Sequence, residues 1–298
     1  MLRGMAKKDS GQSVVLVGAG SLAHALASLL PKAGYRISEF VIRSKSERRR
    51  EAEKLAQASR ARLATFETAS WDAGIIWVAV SDGAIASTAE LMAPLADWKG
   101  RIVLHSSGAL ASTELWALKR RGAVVGSVHP MMTFVPEGVP EVSGIAWTIE
   151  GDRQATAVAR TVVRALKGVQ LSIDARNKSL YHVFAAFLSP LIVVHLETAA
   201  RLAVAAGIPR RELTAVMRPI VEQTIQNYFE KKGSGAGAGK AFSGPLIRGD
   251  VATIEGHLRA LRWDREALSL YRALVAAALK SDLPVKSKAA IRRAIGEK

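Results

Sequence analysis

The pattern of apolar and polar positions divides this chain into two parts. From residue 13 to about 174, short apolar runs rich in β-branched residues alternate with stretches whose apolar positions recur at helical spacing. After about Asp174 the pattern is helical and rich in alanine, without a run typical of a strand. We therefore predict a doubly wound α/β domain with a mostly parallel sheet over 13–174, and an all-α domain over 175–298.

Eight runs in the first part predict strands, and five longer stretches in the second predict helices. The strands are Ser13–Val17, Arg36–Ile42, Ala61–Thr65, Ile75–Val80, Arg101–Leu104, Ala123–Val128, Ile145–Ile149 and Val169–Ile173. The helices are Asn177–Ala206, Glu212–Lys231, Asp250–Leu261, Asp264–Lys280 and Lys286–Ile295. Pro190 removes one backbone hydrogen bond from the first of these helices, so we expect a kink there.

The clearest local signal is a strand, a glycine turn and a helix near the start of the chain. The run Ser13–Val17 leads to Gly18 and Gly20, and apolar residues then recur at helical spacing from Leu22 to Leu30. In dinucleotide-binding domains such glycines make the tight turn and let backbone N–H groups approach the pyrophosphate, which faces the helix N-terminus. The alternative is a glycine turn that binds nothing. The predicted dinucleotide ligands are Gly18, Ala19, Gly20, Ser21 and Leu22.

The end of the second predicted strand indicates which dinucleotide fits. An NAD site places a carboxylate there, on the ribose 2′-hydroxyl, whereas this chain has Arg43, Ser44 and Lys45. A cation and a hydroxyl suit a 2′-phosphate, so NADP is favoured over NAD. The alternative is that these residues begin the charged helix 46–59, with Ser44 or Ser46 as its N-cap.

Polar residues follow other predicted strands at the edge where ligands bind in doubly wound sheets. Val80 ends the fourth strand, Ser81 and Asp82 follow it, and Ser106 follows the fifth strand. We expect these four residues beside the cofactor. Capping of the next helix is an equally good interpretation of Ser81 and Asp82, and it is compatible with the first.

Two histidines end successive predicted strands, His105 after the fifth and His129 after the sixth. Histidine exchanges protons near neutral pH, so both are candidates for acid–base chemistry, although a single histidine at a strand end is more often structural. Lys178 and His182, together with Tyr181 and Ser189, form a polar stripe on the long helix 177–206. Such a stripe is either a cleft wall or a solvated face.

Composition excludes several function classes. The chain has no cysteine, which excludes disulfides, thiolate metal sites and a cysteine nucleophile, and fits a cytoplasmic enzyme. No uninterrupted apolar run reaches the roughly 20 residues that span a bilayer, and residues 1–12 predict a disordered basic tail. The net charge of +16 is scattered and is not interleaved with aromatic residues. We therefore expect no nucleic-acid, membrane or metal site; a basic surface also attracts an anionic ligand.

Four motifs, with the glycine turn, resemble a known family. They are Leu104-His-Ser-Ser-Gly-Ala-Leu110, Gly126-Ser-Val-His-Pro-Met-Met-Thr-Phe134, Lys178-Ser-Leu-Tyr-His182 and Gly244-Pro-Leu-Ile-Arg-Gly-Asp250. The chain is similar to bacterial Rossmann-like proteins that carry a C-terminal domain of unknown function, number 2520. These are distant relatives of pyrroline-5-carboxylate reductase, β-hydroxyacid dehydrogenases and deazaflavin-dependent NADP reductases.

The resemblance implies a Rossmann domain followed by a dehydrogenase-type helical domain, NADP as cofactor, and a homodimer built through the helical domain. Relatives tend to carry Ser-Asn where this chain has Ser189-Pro190, which puts any substrate role of that asparagine in doubt here.

The leading hypothesis is an NADP-dependent oxidoreductase that moves a hydride to or from a small carbonyl, imine or hydroxyacid. Its candidate proton donors are Lys178, His182, His105 and His129, with preference for the first two. Ser107 and Arg248 are candidate ligands of a substrate carboxylate, although a surface ion pair explains Arg248 equally well. The alternative hypothesis is a non-catalytic NADP-binding sensor or scaffold.

Overall fold

The computed structural model describes residues 12–135, 138, 141–233 and 237–297. The predicted tail 1–12 lies outside these residues except for Gln12. All eight predicted strands are confirmed, two with the predicted ends and six with ends shifted by one or two residues. They are β1 (Ser13–Val17), β2 (Arg36–Ile42), β3 (Arg62–Thr65), β4 (Ile75–Val78), β5 (Ile102–His105), β6 (Val124–Pro130), β7 (Ala146–Gly151) and β8 (Val169–Ser172).

The strands form one sheet in the order β3-β2-β1-β4-β5-β6-β7-β8. Every neighbouring pair is parallel except β6 and β7, which run antiparallel with His129 opposite Thr148. The chain order reverses between β1 and β4, the position at which doubly wound sheets open a ligand crevice beyond their carboxyl ends. The predicted doubly wound, mostly parallel sheet is therefore confirmed.

Alternation along β1 explains how the sheet is buried on both faces. Val14 and Leu16 belong to one apolar cluster, whereas Val15 and Val17 belong to another. Successive side chains of a strand point to opposite faces, so each face of β1 packs under its own layer of helices. All four side chains are at most 1% exposed. This continuous burial is why β1 has no polar position between Ser13 and the glycine turn.

The first compact unit extends to Leu191, and Ile192–Lys298 form the second. The predicted domain boundary at 174 stays a prediction. The helix that begins at Lys178 belongs to the same compact unit as the sheet. The α-helices of the first unit are α1 (Ser21–Lys32), α2 (Arg49–Ser59), α3 (Ile85–Met92), α4 (Trp116–Lys119), α5 (Arg153–Ala165) and α6 (Lys178–Leu188). Short 3-10 turns cover Asp82–Ala84, Ser112–Leu115 and Ala175–Asn177.

The prediction of one continuous helix over 177–206 is wrong at Ser189. Helix α6 ends at Leu188 and helix α7 (Pro190–Ala205) follows, separated by Ser189 with φ −133° and ψ −83°. Pro190 has no N–H and its ring conflicts with a helical backbone before it, so the expected kink is a full interruption.

The second unit is helical and has its own core. Ile254, Val275, Leu279 and Ile291 are among its buried side chains. The predicted N-cap Asp250 is confirmed, because its carboxylate accepts from the Thr253 N–H at 3.1 Å. Its helices are α7, most of which lies in this unit, α8 (Leu213–Gly233), α9 (Pro245–Arg248), α10 (Val251–Ala260), α11 (Arg265–Lys280) and α12 (Lys288–Ala294).

A long apolar surface stays uncovered on the helices that follow the sheet. On α6 the side chains of Leu180, Val183, Phe184 and Phe187 are 50–72% exposed. By length and composition alone, the 31-residue stretch Ala175–Ala205 is able to cross a membrane, because an 18-residue window within it has a mean hydropathy of 1.8, although Ser189 interrupts the helix. A surface of this kind marks an interface, because soluble chains rarely leave large contiguous apolar patches in water.

Candidate active site

The glycine turn has the geometry that the sequence predicted. Gly18 has φ +110°, and its N–H donates to the Val41 carbonyl at 2.9 Å. A Cβ at this position would lie 2.6 Å from the Ala79 carbonyl oxygen, closer than real Cβ contacts. Gly20 is extended and has open space around a built Cβ, with its nearest neighbour 3.9 Å away. The first glycine is therefore required by the fold itself, whereas the second leaves room in front of the helix.

Helix α1 presents a bare N-terminus to this space. Its N-cap is Gly20, with no side-chain cap, and its first turn contains no acidic residue. The first N–H groups of a helix have no partner within the helix and carry partial positive charge. This end of α1 can therefore receive an anion such as a pyrophosphate.

A cleft of about 750 Å³ joins the glycine turn to the end of β2. Eight of the predicted cofactor ligands line it, whereas Ser44, Asp82 and Ser106 are not part of its wall. Sequence reasoning did not assign Phe66, which also lines the cleft. The eight are Gly18, Ala19, Gly20, Ser21, Leu22, Arg43, Val80 and Ser81.

Charge at the β2 end of the cleft is predominantly positive. Arg43, Lys45 and Arg48 line it together with one carboxylate, Glu47. The alternative in which Arg43 and Lys45 begin a helix is wrong, because α2 begins at Arg49 and its N-cap Arg48 makes no side-chain cap. The loop is instead turned by Ser46, whose Oγ accepts from the Arg48 N–H at 3.3 Å.

His105 is buried at the end of β5 and both of its ring nitrogens are in use. Its Nδ1 accepts from the Ser107 N–H at 3.1 Å, so its Nε2 carries the proton that is donated to the Ala111 carbonyl at 3.0 Å. Burial, followed by the nearby Lys178 cation, lowers the pKa of His105 to about 3. His105 is therefore a neutral residue that fixes both ends of segment 106–111.

Segment 106–111 is braced from within as well. Ser107 Oγ accepts from the N–H groups of Ala109 and Leu110 at 3.2 and 2.9 Å. Ser106 Oγ accepts from the indole N–H of Trp77 at 2.8 Å. These bonds hold the predicted ligands Ser106 and Ser107 in the wall of the sheet edge, and Ser107 is only 3% exposed.

Lys178, at the start of α6, is 1% exposed. Its ammonium donates to the Ser107 carbonyl at 2.7 Å and to Ser127 Oγ at 2.5 Å, and it lies 3.7 Å from Glu150 Oε1. Burial lowers the pKa of Lys178 to about 8, and the carboxylates of Glu150 and Asp82 oppose that shift. The predicted proximity of the Lys178 helix to the His105 loop is thus observed, with the ammonium directed into the protein.

His129 and His182 come together, as candidates on one site should, and Tyr181 joins them. His129 Nδ1 lies 2.8 Å from the Tyr181 hydroxyl, and the two imidazole rings meet edge to face at 6.2 Å. Burial, with the charges of Lys178 and His182, lowers the pKa of His129 to about 4. Burial raises the pKa of Tyr181. His182, in contrast, is exposed.

Gly108 forms the wall against which both imidazoles pack. A Cβ on this residue would lie 2.6 Å from His182 Cδ2 and 2.8 Å from His129 Nε2. Just beyond the end of α6, the hydroxyls of Ser189 and Thr133 are 2.7 Å apart. The interruption at Ser189 therefore joins the end of α6 to the segment after β6.

Three further sequence-based expectations concern Arg248, a metal site and helix capping. Arg248 is exposed in the second unit. The pKa of Asp250 there is lowered mainly by hydrogen bonds from Thr253, and the charge of Arg248 adds to that shift. Within the described ranges no cluster of three or more His, Cys, Asp or Glu side chains could hold a metal ion. Ser81 and Asp82 begin a 3-10 turn without a side-chain cap, so their proposed capping role is wrong.

The chain resembles solved structures over almost its whole length. One, a candidate NADP oxidoreductase from Bacteroides fragilis, is 24% identical with a TM-score of 0.75 and matches 92% of this chain and 100% of its own. An imine reductase from Myxococcus stipitatus, solved with NADP+, is 19% identical (TM-score 0.66; 94% and 99% covered). A reductive aminase from Aspergillus terreus, solved with NADPH and ethyl-5-oxohexanoate, is 18% identical (TM-score 0.64; 95% and 99% covered). None of the curated proteins matches the chain by sequence.

Two family models match the chain in succession. Residues 5–130 match the model of a Rossmann-like domain, and residues 145–278 match that of the domain of unknown function DUF2520. The two matches occur in the order that the motifs indicated. All eight strands lie within them, whereas helix α12 lies beyond the second match. The chain therefore has the architecture of a Rossmann-like domain followed by a DUF2520 domain.

Proposed function

We propose that the protein is an NADP-dependent oxidoreductase that transfers a hydride to or from a small carbonyl, imine or hydroxyacid. The observation that carries the proposal is the cleft at Gly18–Ser21, in which a bare helix N-terminus and three cations line one wall. Its likeness in fold to an imine reductase and a reductive aminase, both solved with an NADP cofactor, supports the reaction class.

NADP fits the donor set of the cleft better than NAD. The pyrophosphate would be held by the N–H groups at the start of α1, where a side chain on Gly20 would stand in the open space. Arg43, Lys45 and Arg48 would hold a 2′-phosphate, with Ser44 as a further hydroxyl donor. The carboxylate of Glu47 opposes binding of a phosphate, but three cations outweigh it. NAD therefore remains the less favoured cofactor.

The bound nicotinamide would supply or accept the hydride, and the protein would have to supply or accept one proton. Of the four predicted donors, Lys178 and His105 direct their N–H groups to protein acceptors. The lowered pKa of His129 leaves it neutral at pH 7. We therefore assign the proton donor to the exposed His182, with the His129–Tyr181 pair fixing the ring beside it.

The substrate is proposed to bind against Gly108 and the two imidazoles. Ser107 is engaged within its own turn, so we assign it to shaping the site instead of binding a carboxylate. Arg248 remains a proposed carboxylate ligand of the second unit. A substrate with one polar reacting group beside an apolar body would suit these surroundings.

A binding protein without turnover is the second candidate. The observation in its favour is that two of the predicted proton carriers, Lys178 and His105, are consumed by internal hydrogen bonds. Such a sensor or scaffold would bind NADPH with the same groups. It would differ from an enzyme only in failing to pass the hydride to any acceptor.

We also propose a homodimer that acts in the cytoplasm, with no nucleic-acid or membrane partner. The support is apolar surface on α6 and α8, where Phe187 is 65%, Ile220 68% and Phe229 64% exposed. A second copy would bury apolar side chains of this kind in a helical interface. Light scattering should give twice the chain mass of 31.9 kDa. A monomer that floats with lipid vesicles would contradict the dimer and indicate a membrane surface instead.

The experiment that tests the proposed function has two stages. NADPH and NADH are titrated by fluorescence, and NADPH oxidation is then followed with a panel of imines, 2-oxoacids and ketones. The proposal expects tighter binding of NADPH than NADH and oxidation with at least one acceptor class. Tight binding without transfer to any of them would favour the sensor, and no binding would overturn both candidates.

A further inference from the structure

We propose that Glu150 is a positioning residue of this site, which holds segment 106–111 in the conformation that places Gly108 against His129 and His182. Its catalytic consequence rests on the proposed function, but its structural consequence does not. Glu150 was not among the residues that the sequence pattern suggested. It lies on β7, and it acts through two partners, Ser112 and Lys178.

The carboxylate of Glu150 anchors the end of the segment. Its Oε1 accepts from the Ser112 N–H at 2.7 Å, and its Oε2 accepts from Ser112 Oγ at 2.8 Å. Glu150 is only 7% exposed. A buried carboxylate is costly unless it is paired and hydrogen-bonded, and here both oxygens have a donor. The pair of bonds therefore fixes residue 112 relative to the sheet.

The second partner anchors the start of the segment. Lys178 Nζ lies 3.7 Å from Glu150 Oε1 and donates to the carbonyl of Ser107, the residue before Gly108. An ammonium has three donors and no acceptor. Two of these donors bind Ser107 and Ser127, so Lys178 transmits the position of Glu150 to the segment. Its cation also satisfies the buried charge of Glu150.

The segment is the element that positions the imidazoles. His105 ties its two ends together, and Glu150 with Lys178 ties it to β7 and α6. Because Gly108 touches both imidazoles, a shift of even 1 Å in the segment would open or close the space beside His182. Misplacements of that size cost about 100-fold in rate where geometry controls catalysis.

Other ionisable groups lie near Lys178, but they do not take the role of Glu150 in binding both Lys178 and the segment. Asp82 attracts its cation, whereas His105 and His129 lie on the same site and are neutral at pH 7. Asp82 is exposed and, within the described ranges, makes no hydrogen bond to segment 106–111. Glu150 is thus the buried group that binds the segment and the cation at once.

The test compares Glu150→Gln and Ser112→Ala with Glu90→Gln, an exposed carboxylate on α3. Hydrogen exchange is measured on a peptide that spans 105–112, and the imidazole resonances of His129 and His182 are recorded, all without turnover. We expect exchange to be about tenfold faster in both test variants, as local opening becomes easier, with shifted imidazole resonances. Exchange and resonances matching those of Glu90→Gln would overturn the proposal. Ser112→Ala keeps every charge, so it decides the question if Glu150→Gln fails to fold.

A kinetic measurement separates this inference from the proposed function. If the wild-type protein transfers hydride, Ser112→Ala should lower kcat about tenfold and leave the KM for NADPH unchanged, because the cofactor cleft is a separate part of the sheet edge. A rise of about tenfold in the KM for NADPH would contradict the proposal that this contact positions the imidazoles. If the wild-type protein transfers no hydride, the proposed function fails, and the exchange and imidazole results still decide the role of Glu150.

Discussion

His129 Nδ1 lies 2.8 Å from the Tyr181 hydroxyl, although 52 positions separate the two residues along the chain. One ends the sixth strand and the other belongs to the first long helix after the sheet. The bond ties the helix to the edge of the sheet, at the same place where Gly108 meets His129 and His182. The proposed chemistry depends on this junction and on the glycine turn.

Gly108→Ala tests the junction. Its Cβ would lie 2.6 Å from His182 and 2.8 Å from His129, so one or both rings must move. We expect hydride transfer to fall about 100-fold while NADPH affinity is retained, as measured by steady-state kinetics and fluorescence titration. Gly256→Ala is the matched control, because its Cβ meets only Arg259 at 3.9 Å. Equal activities in the two variants would contradict the assignment.

Alanine substitutions at the two glycines of the turn should have different effects. Gly18→Ala combines φ +110° with a contact of 2.6 Å to the Ala79 carbonyl, so we expect a loss of about 1–3 kcal/mol in the free energy of unfolding. Gly20→Ala has room for its Cβ in the free protein, so it should fold normally and lose NADPH affinity. Urea unfolding and NADPH titration measure the two effects. Retained affinity in folded Gly20→Ala would count against a pyrophosphate at α1.

Arg43→Ala tests the choice between NADP and NAD. Loss of a charge-assisted bond to the 2′-phosphate should weaken NADPH binding by about 10–100-fold, which corresponds to roughly 1.5–3 kcal/mol, and should leave NADH binding nearly unchanged. Lys54→Ala, an exposed cation on α2, is the control for general charge. The idea is refuted if Arg43→Ala weakens both dinucleotides equally.

Buried neutral histidines predict acid sensitivity. The pKa values of His105 and His129 fall from 6.5 to about 3 and about 4, mainly through burial. Between pH 6.5 and 4 the unfolded chain therefore binds more protons than the folded one, and stability falls as pH falls. Each such group contributes a slope of at most about 1.4 kcal/mol per pH unit.

His129→Asn should make that slope shallower, whereas His24→Asn, a change at an exposed histidine, should not. Urea unfolding at several pH values between 4 and 7 measures the slope for each variant. A slope for His129→Asn that equals the wild-type slope would show that His129 is protonated alike in the folded and unfolded chain.

Much of the architecture could be predicted because it depends on local patterns. Continuous apolar runs give buried parallel strands, and Pro190 gives the interruption at Ser189. The antiparallel direction of β7 could not be predicted, because it depends on the path of the chain between β6 and β7 and leaves no periodic signal. The extension of β6 through His129 and Pro130 was missed because proline disfavours central strands.

The cleft at the glycine turn could be predicted from the sequence, whereas the hydrogen bonds around His105 and Lys178 could not. The glycine turn and Arg43 are read from a motif, whereas the roles of His105 and Lys178 depend on acceptors such as Ala111 and Ser107 that only the fold supplies. Because lysine is almost never fully buried, the sequence did not indicate that Lys178 lies inside the protein. Tyr181 lies on the predicted polar stripe. For Glu150, the available signal was the presence of a carboxylate in the otherwise largely apolar strand Ala146–Gly151.

The central claim is that this cleft delivers a hydride beside His182. The most direct measurement is a single-turnover reaction of the protein with NADPH deuterated at C4 and an imine or ketone acceptor, followed by mass spectrometry of the product. We predict one deuterium in the product with the wild-type protein, and a loss of transfer in Gly20→Ala. Saturating NADPH binding with unlabelled, unreduced acceptor across the panel would contradict the claim.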